Sequence, residues 1–443
     1  MSKQRNILVS AADISIFKSA KAYKQQLLIL IAQATQRIYI TALYLQDDQA
    51  GQDILRALYQ AKQREPQLDI KIFVDFHRAQ RGLIGEAEQL GNRTLYLKLA
   101  EQYNEVIDIY GVAVKRKELF GVLHLKGMVF DDQLFYTGAG INDVYCHQNT
   151  RYRLDRYYQI NSQLLANSFC NYLTNTFVLS GLAPLLNQQR MPTTKKQKRN
   201  IIAFKSLLKK AFYLVEQHDV IDTTLINKIA IKPLIGYGRR NNKLNRVVRR
   251  LVQNSETDLL MFTPYFNLPP VLAKDVVKAL KRGVKVTIVI GDKTANDFFI
   301  QDENAFSTIG IVPYIYEMLL RRFVKRWQHF IDQGLLTLLL WKDGDNSFHL
   351  KGLVADQRFH LLTGSNLNPR AWSLDLENGL LLDDAEKLLM PQVEDEIQKI
   401  LQHTTKIKHF NDLQSVTHYP EKPKKLLKKI QFTQIDRLLK RFL

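Results

Sequence analysis

Cysteines and long apolar runs are what this chain has least of. Its 443 residues include two cysteines, Cys146 and Cys170, too few for a disulfide framework and unlike any zinc-ligand spacing. No stretch reaches the roughly 18 to 20 apolar residues that would span a bilayer, and the first residues do not lead into the apolar core of a signal peptide. We therefore expect a protein of a reducing compartment, soluble or peripheral to a membrane.

Acidic residues are scarce as well. The 43 aspartates and glutamates are outnumbered by 63 lysines and arginines, which gives a formal net charge of +20. A field of that sign attracts polyanions: nucleic acid, anionic lipid or a phosphorylated substrate.

Three basic segments carry an apolar stripe at helical spacing, namely 195–212, 319–327 and 424–443. Each could be a surface helix whose stripe packs in the core, but the three together favour a membrane surface as partner. Nucleic acid remains an alternative partner, although the sequence has no recognition motif for it.

The most informative feature is an eight-residue pattern that occurs twice. His124–Asp131 (HLKGMVFD) and His349–Asp356 (HLKGLVAD) agree at six of eight positions and share the spacing H-x-K-x-x-x-x-D. A Thr-Gly pair follows each copy, with an asparagine four residues beyond the glycine. These residues are Gly138 and Asn142 in the first copy, and Gly364 and Asn368 in the second. All these matches together would arise by chance less than about once in a thousand such chains, so the chain contains an internal duplication.

Alternating helix and strand patterns in both halves indicate an α/β protein with mixed sheets flanked by helices. The first half predicts helices at 20–35 and 53–63 and strands at 37–45 and 70–76. The motif strand then pairs with 134–137 in a hairpin. The second half repeats this plan, with strands at 258–263, 284–290 and 359–363 and a helix at 271–282.

The chain is longer than one hydrophobic core usually serves, and the duplication predicts two similar domains. We place the first domain at 1–185, a basic linker and amphipathic helix at 186–225, the second domain at 226–420 and a basic amphipathic tail at 421–443. A pseudo-twofold axis should relate the domains, with one active site at their interface.

Strand geometry turns the duplicated pattern into a chemical site. Side chains alternate between the two faces of a β-strand, so His124 and Lys126 should share one face, and so should His349 and Lys351. If the two strands meet at the interface, two imidazoles and two ammonium groups surround one pocket. Lysines attract phosphate oxygens, and histidines can act as nucleophile and as general acid or base. The sequence thus predicts a phosphate site that needs no metal.

The motif glycines and asparagines have supporting roles in this prediction. Gly127 and Gly352 follow the lysines, where a bare Cα lets a phosphate or an adjacent backbone approach. The side-chain amides of Asn142 and Asn368 can add hydrogen-bond donors for the negative charge of the transition state.

Four acidic residues are also candidates for supporting roles. Asp131 and Asp356 lie beyond the His-Lys pair, so we expect each to brace its hairpin. Asp155 and Glu377 follow the asparagine of their copy, and either could orient a histidine through its second ring nitrogen. A surface ion pair is the alternative for both.

The doubled pattern, with its glycine and asparagine, resembles the phospholipase D superfamily, and the likeness covers both halves. More narrowly, 74–82 (VDFHRAQRG), 124–127 (HLKG) and 152–157 (YRLDRY) resemble the phosphatidylserine synthases of Gram-negative bacteria. The resemblance implies two phospholipase D-like α/β domains that share one active site. It also implies a cofactor-free transfer of phosphatidyl from CDP-diacylglycerol to L-serine through a phosphatidyl-histidine intermediate, by a cytoplasmic protein peripherally associated with the inner membrane.

By motif position, the residues implied in catalysis are His124, Lys126, Asn142, His349, Lys351 and Asn368. One histidine attacks phosphorus, while the other protonates departing CMP and then deprotonates serine. Superfamily precedent favours His124 as nucleophile, and the sequence itself leaves the choice open. Two positions depart from the superfamily pattern. Ala139 stands where serine is commoner, and the later position of the asparagine lets Asn366 compete with Asn368.

A polar loop follows strand 70–76, at the edge where α/β sheets usually bind ligands. Its Asp75, His77, Arg78 and Arg81 are candidates for substrate binding, since an arginine pair could hold a diphosphate or the carboxylate of serine. A surface loop with an ion pair is the equal alternative.

Rival functions use the same motif. A phospholipase D or a cardiolipin synthase would differ in leaving group or acceptor, and a superfamily nuclease would explain the charge without lipid. A catalytically silent membrane scaffold would leave both motifs unused. The apolar stripes of the basic segments favour a lipid enzyme over a nuclease.

Overall fold

A computed structural model of the chain describes residues 6–81, 91–210, 213, 226–302 and 304–432. In chain order, the strands before residue 200 are β1 (Ile7–Ser10), β2 (Ile14–Phe17), β3 (Arg37–Thr41), β4 (Asp69–Asp75), β5 (Asp108–Val112), β6 (Gly127–Phe130), β7 (Gln133–Thr137), β8 (Arg153–Leu154) and β9 (Tyr157–Asn161). The later strands are β10 (Lys228–Tyr237), β11 (Asp258–Thr263), β12 (Lys285–Gly291), β13 (Leu336–Trp341), β14 (Ser347–Phe348), β15 (Gly352–Ala355), β16 (Phe359–Thr363), β17 (Leu376–Asp383) and β18 (Thr404–Ile407).

The helices, again in chain order, are α1 (Ala20–Gln33), α2 (Gln49–Arg64), α3 (Arg93–Gln102), α4 (Gln163–Leu173), α5 (Thr194–Lys210), α6 (Lys243–Asn254), α7 (Pro270–Lys281), α8 (Val312–Asp332), α9 (Pro369–Ser373), α10 (Met390–Leu401) and α11 (Glu421–Phe432). Local sequence explains where they start. The Ser19 side chain caps α1, the Asp48 side chain caps α2, and α7 opens on a proline, whose fixed φ suits a first helical turn.

Two mixed sheets confirm the predicted α/β duplication. The first has the strand order β2-β9-β7-β6-β3-β4-β5, and the second has β1-β10-β17-β16-β15-β11-β12-β13-β18. In both, a parallel trio (β3-β4-β5 or β11-β12-β13) joins an antiparallel part that holds the motif hairpin, β6-β7 or β15-β16. The second sheet therefore repeats the first, with β1 and β18 added at its edges.

The motif strands begin later than the sequence suggests. Each starts at the glycine after the lysine, so the prediction that His124 and Lys126 lie within the strand is wrong, as it is for His349 and Lys351. These residues occupy an extended segment just before the strand. The reason is that their backbone partners belong to the other half of the chain, not to the sheet of their own half.

The two halves are interlocked at the N-terminus. Strand β1 pairs with β10 in the second sheet, so the first residues of the predicted domain 1–185 contribute to the other half. Apolar side chains of both halves form one continuous core, which includes Ile7, Val9, Val129, Leu134, Leu380, Leu382 and Val393. Pairing with β10 lets Ile7 and Val9 alternate into that core.

The basic helices bury most of their apolar stripes, although Ile202 of α5 is 61% exposed and Phe432 at the end of α11 is 90% exposed. In α5, Phe204 and Leu208 are buried in the core, while Lys205 and Lys209 are exposed. Leu320 and Val324 of α8 and Leu427 of α11 are buried as well. The prediction of a membrane-facing stripe is therefore wrong for these buried side chains, because they fill the protein core. Association of the helices with a membrane stays a prediction. Residues 211–212 and 433–443 of these predicted segments lie outside the described part of the chain. No helix in the described part is long and apolar enough to cross a bilayer.

Candidate active site

The first motif segment lies against a strand of the second half. The backbone N–H of His124 donates to the Leu376 carbonyl over 2.9 Å, and that of Leu376 donates to Val122 over 3.0 Å. The Asn378 side chain then clasps the Lys126 backbone, accepting from its N–H at 2.8 Å and donating to its carbonyl at 2.7 Å. Strand β17 thereby positions the histidine and lysine of the first motif.

The second motif segment is held in the same way by the first half. Strands β8 and β14 pair in parallel, with Ser347 opposite Arg153. The His349 N–H donates to the Leu154 carbonyl over 3.0 Å. Each motif is thus fixed by the opposite half, which brings both into one site at the domain interface.

His124 is braced by a buried carboxyl group from the second half. Its Nδ1 lies 2.9 Å from both carboxyl oxygens of Glu377. Burial, reinforced by the charge of Lys126, lowers the His124 pKa well below its usual value. Burial also raises the Glu377 pKa to about 8. In the reactive state the His124 Nδ1–H donates to an ionised Glu377, and Nε2 carries a free lone pair. The His124–Glu377 pair reaches this state only after it has lost one proton.

His349 has a more crowded second nitrogen. The hydroxyl of Tyr145 lies 2.8 Å from Nδ1, the Asp155 carboxylate lies 3.3 Å away, and the Lys351 ammonium is in direct contact. Lys351 also donates to Asp155 over 3.0 Å. Burial lowers the His349 pKa well below its usual value, and Lys351 lowers it further. Asp155 therefore braces a histidine and a lysine at once.

The two motif lysines are buried and feel each other's charge. Burial and the nearby Lys351 lower the pKa of Lys126 to about 8. Burial also lowers the pKa of Lys351, against the opposing effect of Asp155. Two ammonium groups that repel each other favour a bound anion, because the negative charge of a phosphate offsets their repulsion. The geometry thus suits a negatively charged phosphodiester.

Packing within the protein explains the two motif glycines. Gly127 has φ of 115° and Gly352 has φ of 134°, a region that favours glycine. A Cβ would lie 2.6 Å from Phe169 at Gly127 and 2.5 Å from the Leu361 carbonyl oxygen at Gly352. Of the two predicted reasons for these glycines, the approach of neighbouring protein atoms therefore fits.

The Thr-Gly glycines make room for the charged groups. A Cβ at Gly138 would come within 2.6 Å of an Asp155 carboxyl oxygen, and one at Gly364 within 2.6 Å of Lys126 Cγ. Any larger residue would displace Asp155 or Lys126, which explains why a glycine follows each motif at this distance.

The motif aspartates bond backbone groups. Asp131 accepts from the N–H groups of residues 35, 36 and 37 over 2.8 to 3.0 Å. Asp356 likewise accepts from residues 256 and 257 over 2.8 to 3.2 Å. Both carboxylates hold the loop before a central strand to the turn of the motif hairpin.

The motif asparagines cap short turns. Asn142 Oδ1 accepts from the Tyr145 N–H over 2.9 Å, and Asn368 Oδ1 caps α9 by accepting from the Ala371 N–H over 2.9 Å. The cap places Tyr145 beside the second motif. The competing Asn366 has a buried Oδ1 without a hydrogen-bond partner in the described residues.

The predicted substrate-binding loop is engaged in contacts of its own. Asp75 is fully buried and accepts from the N–H groups of His77, Arg78 and Leu123, each over 2.9 Å. Its carboxylate therefore ties the end of β4 to the segment that carries His124. His77 bonds the Lys115 carbonyl through Nε2 over 2.8 Å.

The two loop arginines converge on one acid. Arg81 donates two hydrogen bonds of 2.6 Å to the Glu118 carboxylate. Arg78 lies 3.6 Å from the same carboxylate, and its guanidinium lies 4.6 Å from the centre of the Tyr44 ring. Burial would raise the pKa of Glu118, but Arg81 and Arg78 lower it overall. The ion-pair alternative thus describes this loop as the structure shows it.

A metal site would require several histidine, cysteine or acidic side chains that converge on one point. In the described residues, no group of three or more histidine, cysteine or acidic side chains is placed to hold a metal ion. The chemistry available from the side chains is that of two imidazoles, each braced at Nδ1, on either side of a cationic anion site.

Comparison with known proteins agrees with this geometry. A family model described as "Cardiolipin synthase, PLD-like domain" matches residues 27–143 and 248–403, one stretch in each half. The CDP-diacylglycerol–serine O-phosphatidyltransferase of Escherichia coli is 41% identical over 98% of this chain and 95% of its own length. The enzyme of the same name from Haemophilus influenzae is 42% identical over 99% and 96%. The chain belongs to the phospholipase D superfamily, in the family of the phosphatidylserine synthases.

A solved member of this family confirms the fold. The crystal structure of phosphatidylserine synthase from Haemophilus influenzae superimposes with a TM-score of 0.94 at 40% identity, covering 100% of this chain and 98% of that one. A more distant relative, a CDP-diacylglycerol–glycerol-3-phosphate 3-phosphatidyltransferase from Schizosaccharomyces pombe, is 22% identical over 95% of both chains.

Several charged residues around this superfamily site escaped sequence reasoning. Arg153 and Asp297 form an ion pair of 2.8 Å near His349, and Tyr265 donates to Asp297 over 2.9 Å. Near His124, Arg370 lies 3.2 Å from Asp375. Arg153 and Asp375 stand two residues before the acids that brace the histidines, and this spacing was the one signal in the sequence that could have found them.

Proposed function

We propose that this chain transfers the phosphatidyl group of CDP-diacylglycerol to L-serine, giving phosphatidylserine and CMP. The observation that carries the proposal is the pairing of His124 with Glu377 and of His349 with Asp155 across the interface, around Lys126 and Lys351. Its support from kinship is the near full-length match, at 41% and 42% identity, to two proteins named for this reaction.

In the first half-reaction, His124 Nε2 attacks the phosphorus that carries diacylglycerol. A P–N bond forms and the P–O bond to CMP breaks, which leaves a phosphatidyl-histidine. Lys126 and Lys351 hold the non-bridging oxygens throughout, where their charge offsets that of the transition state. Burial and Lys351 disfavour the protonated form of His349, but the negative charge of bound CDP-diacylglycerol favours it, so His349 can donate a proton toward the departing CMP.

In the second half-reaction, His349 takes the proton of the serine hydroxyl. The serine oxygen forms a bond to phosphorus, and the P–N bond to His124 breaks. Microscopic reversibility supports using one residue as acid and then as base.

The choice of nucleophile rests on the two environments. His124 Nδ1 faces both oxygens of one carboxyl group, which stabilises the positive charge that a phosphorylated imidazole carries. His349 Nδ1 also has a carboxylate neighbour, Asp155, but at 3.3 Å, and that carboxylate is shared with the Lys351 ammonium, which itself contacts Nδ1. This environment stabilises the positive charge less. We therefore assign His124 as nucleophile and His349 as acid and base.

The lipid substrate requires access to a membrane surface, and the basic outer faces of the described helices supply a means. Lys195, Lys198, Lys205 and Lys209 of α5 are exposed to solvent. Such clusters are attracted to anionic lipid by roughly 1 kcal/mol for each cation near the surface. Peripheral association would then be electrostatic and sensitive to salt.

The test uses the purified chain on anionic vesicles that contain CDP-diacylglycerol. CMP release should rise with added serine and match phosphatidylserine formed, and both should fall as salt rises and the protein stops sedimenting with vesicles. The surface variant Asp383→Asn, which breaks an exposed ion pair with Arg358, is the matched control and should behave as the unmodified chain. CMP release that ignores serine, use of another acceptor in its place, or cleavage of nucleic acid would each reject the proposal.

The pH dependence follows from two groups with opposite requirements. The Glu377–His124 pair must lose a proton before attack, and the pKa of Glu377 is about 8. Lys126 must keep its proton to hold phosphate, and its pKa is also about 8. We expect kcat/KM for CDP-diacylglycerol to rise with pH up to about 8 and then to fall, in a bell-shaped profile. A profile that is flat between pH 6 and 9 would contradict the assignment.

A further inference from the structure

The pseudo-twofold symmetry of the site is broken at one pair of positions. Arg153 and Asp375 each stand two residues before the acid that braces a histidine, so they occupy equivalent places on the two sides. Asp375 accepts from the Val122 N–H over 2.9 Å and lies 3.2 Å from Arg370. Arg153 instead faces Asp297, a residue from the loop after β12. Both sides thus have an ion pair. On the His124 side its acid also holds the Val122 backbone, whereas on the His349 side the cation and the acid come from opposite halves of the chain.

Aromatic rings connect this ion pair to His349. The Arg153 guanidinium lies 4.6 Å from the centre of the Tyr145 ring, and the Tyr145 hydroxyl lies 2.8 Å from His349 Nδ1. Tyr265 donates to Asp297 Oδ2 over 2.9 Å, and its ring centre is 6.2 Å from that of His349. One tyrosine ring thus lies between each member of the ion pair and the His349 imidazole.

The pair also has hydrogen-bonding capacity to spare. The Arg153 side chain is 17% exposed and the Asp297 side chain 14%, but the Arg153 Nε and Asp297 Oδ1 atoms are themselves buried. Apart from their ion pair, Arg153 Nε and Asp297 Oδ1 have no well-aligned hydrogen-bond partner in the described residues. Unsatisfied polar atoms this close to a reacting group are unusual and call for an explanation.

The ionisation of the acids singles out Asp297. Burial would raise the Asp297 pKa, but Arg153 and His349 lower it overall, so its carboxylate is charged at neutral pH. Burial instead raises the pKa of Asp375 to about 6 and that of Glu377 to about 8. Of these three acids, Asp297 is the one best suited to bind a cation.

We propose that Asp297 and Arg153 recognise the α-ammonium and α-carboxylate groups of the acceptor amino acid and so present its hydroxyl to His349. The zwitterion binds by opening the ion pair: its ammonium takes the place of Arg153 at Asp297 Oδ1, and its carboxylate binds Arg153 Nε. The proposal rests on the transfer to serine proposed above, and it adds the residues that select serine among alcohols.

Acceptors that lack one charge test the two contacts separately. Ethanolamine has no carboxylate, and 3-hydroxypropionate has no ammonium group. In the unmodified chain we expect kcat/KM for each analogue to be at least about a hundredfold below that for serine, since each leaves a charged group of the site unpaired. Asp297→Asn should lower kcat/KM for serine by about a hundredfold and leave that for 3-hydroxypropionate nearly unchanged.

The reciprocal variant is Arg153→Gln. It should lower kcat/KM for serine by a similar factor and leave that for ethanolamine nearly unchanged. Arg153→Lys should restore part of the use of serine. CMP release without any acceptor, which reports attack of water on the intermediate, should fall by a much smaller factor than the use of serine in each of these variants. Asp383→Asn again serves as the control.

Two outcomes would overturn the proposal. One is a loss that is equal for all acceptors and for water, which would make the pair a structural brace. The other is a variant that keeps the full preference for serine. If Arg153→Gln does not fold, the near-isosteric Asp297→Asn decides alone. Failure of the proposed function is distinguishable, because the unmodified chain would then show no serine-dependent CMP release.

Discussion

His124→Ala loses CMP release and phosphatidylserine formation together, by at least about a thousandfold, whereas His349→Ala releases about one CMP per protein molecule and then stalls. Both variants abolish turnover, but at different steps. Loss of a nucleophile removes the covalent path altogether, and what remains is the modest rate that binding and charge alone provide.

The difference between the variants follows from the acidity of two groups, the departing CMP phosphate and the attacking serine hydroxyl. CMP departs as a phosphate monoester, whose second pKa is about 6, so it leaves without much help from an acid. An alkyl hydroxyl is far less acidic and needs a base to attack at neutral pH. The His349 variant therefore forms the intermediate once and cannot pass it to serine.

Rapid-quench measurement of CMP, with CDP-diacylglycerol in excess over a protein concentration high enough to detect one CMP per molecule, distinguishes these outcomes. Both variants should retain the thermal unfolding of the unmodified chain, since His124 and His349 line a site and do not fill the core. A stoichiometric burst from His124→Ala and none from His349→Ala would reverse the two roles. Near-normal turnover by either variant would exclude the shared site.

Glu377→Gln should lower kcat by about a hundredfold or more, because Gln keeps the shape of the side chain and loses the charge that stabilises a phosphorylated His124. Carboxylates that orient catalytic histidines have effects of this size or larger. The rising limb of the pH profile should also move to lower pH, since the second proton of the pair is no longer held by a buried carboxyl group.

Asp155→Asn is the matched comparison on the other side of the site. It should cost less, about tenfold, because the Tyr145 hydroxyl still contacts His349 Nδ1 at 2.8 Å. Steady-state rates and pH profiles of both variants provide the measurement. A larger loss for Asp155→Asn than for Glu377→Gln would show that His349 carries the greater positive charge and is the nucleophile.

The duplicated motif was enough to predict the site's chemical groups, because residue types and spacing report local chemistry. It could not predict which groups meet. Glu377 is 253 residues from His124, and Asp155 is 194 residues from His349. Either acid fitted either histidine until the crossing of each motif segment onto the opposite half was known.

Errors arose where a local pattern had two physical solutions. The stripe of Phe204 and Leu208 has the same spacing whether it faces lipid or protein, and the structure buries it in the core shared by both halves. The motif histidines alternate as in a strand, yet their backbone partners lie in the other half. The pairing of β1 with the second sheet likewise depends on contacts more than 200 residues apart in sequence, at Ile7 and Ile231.

Substrate binding by the loop of Asp75 to Arg81 stays a prediction, but its contacts within the protein could not have been predicted from the sequence. Asp75, Arg78 and Arg81 have the charges expected of a ligand site, but the structure directs them to Leu123 and Glu118. The sequence shows which residues are charged, but not which groups they contact in the folded chain. Arg153 and Asp297, which are 144 residues apart (297 minus 153), form their pair only through the domain interface.

The configuration at phosphorus tests the covalent path most directly, and it does so in the unmodified protein. Each in-line displacement inverts phosphorus, so attack by His124 followed by attack by serine should return the original configuration. CDP-diacylglycerol made chiral at the phosphorus that bears diacylglycerol should therefore give phosphatidylserine with retention. Inversion would show that serine displaces CMP in a single step, and would contradict the phosphatidyl-histidine intermediate.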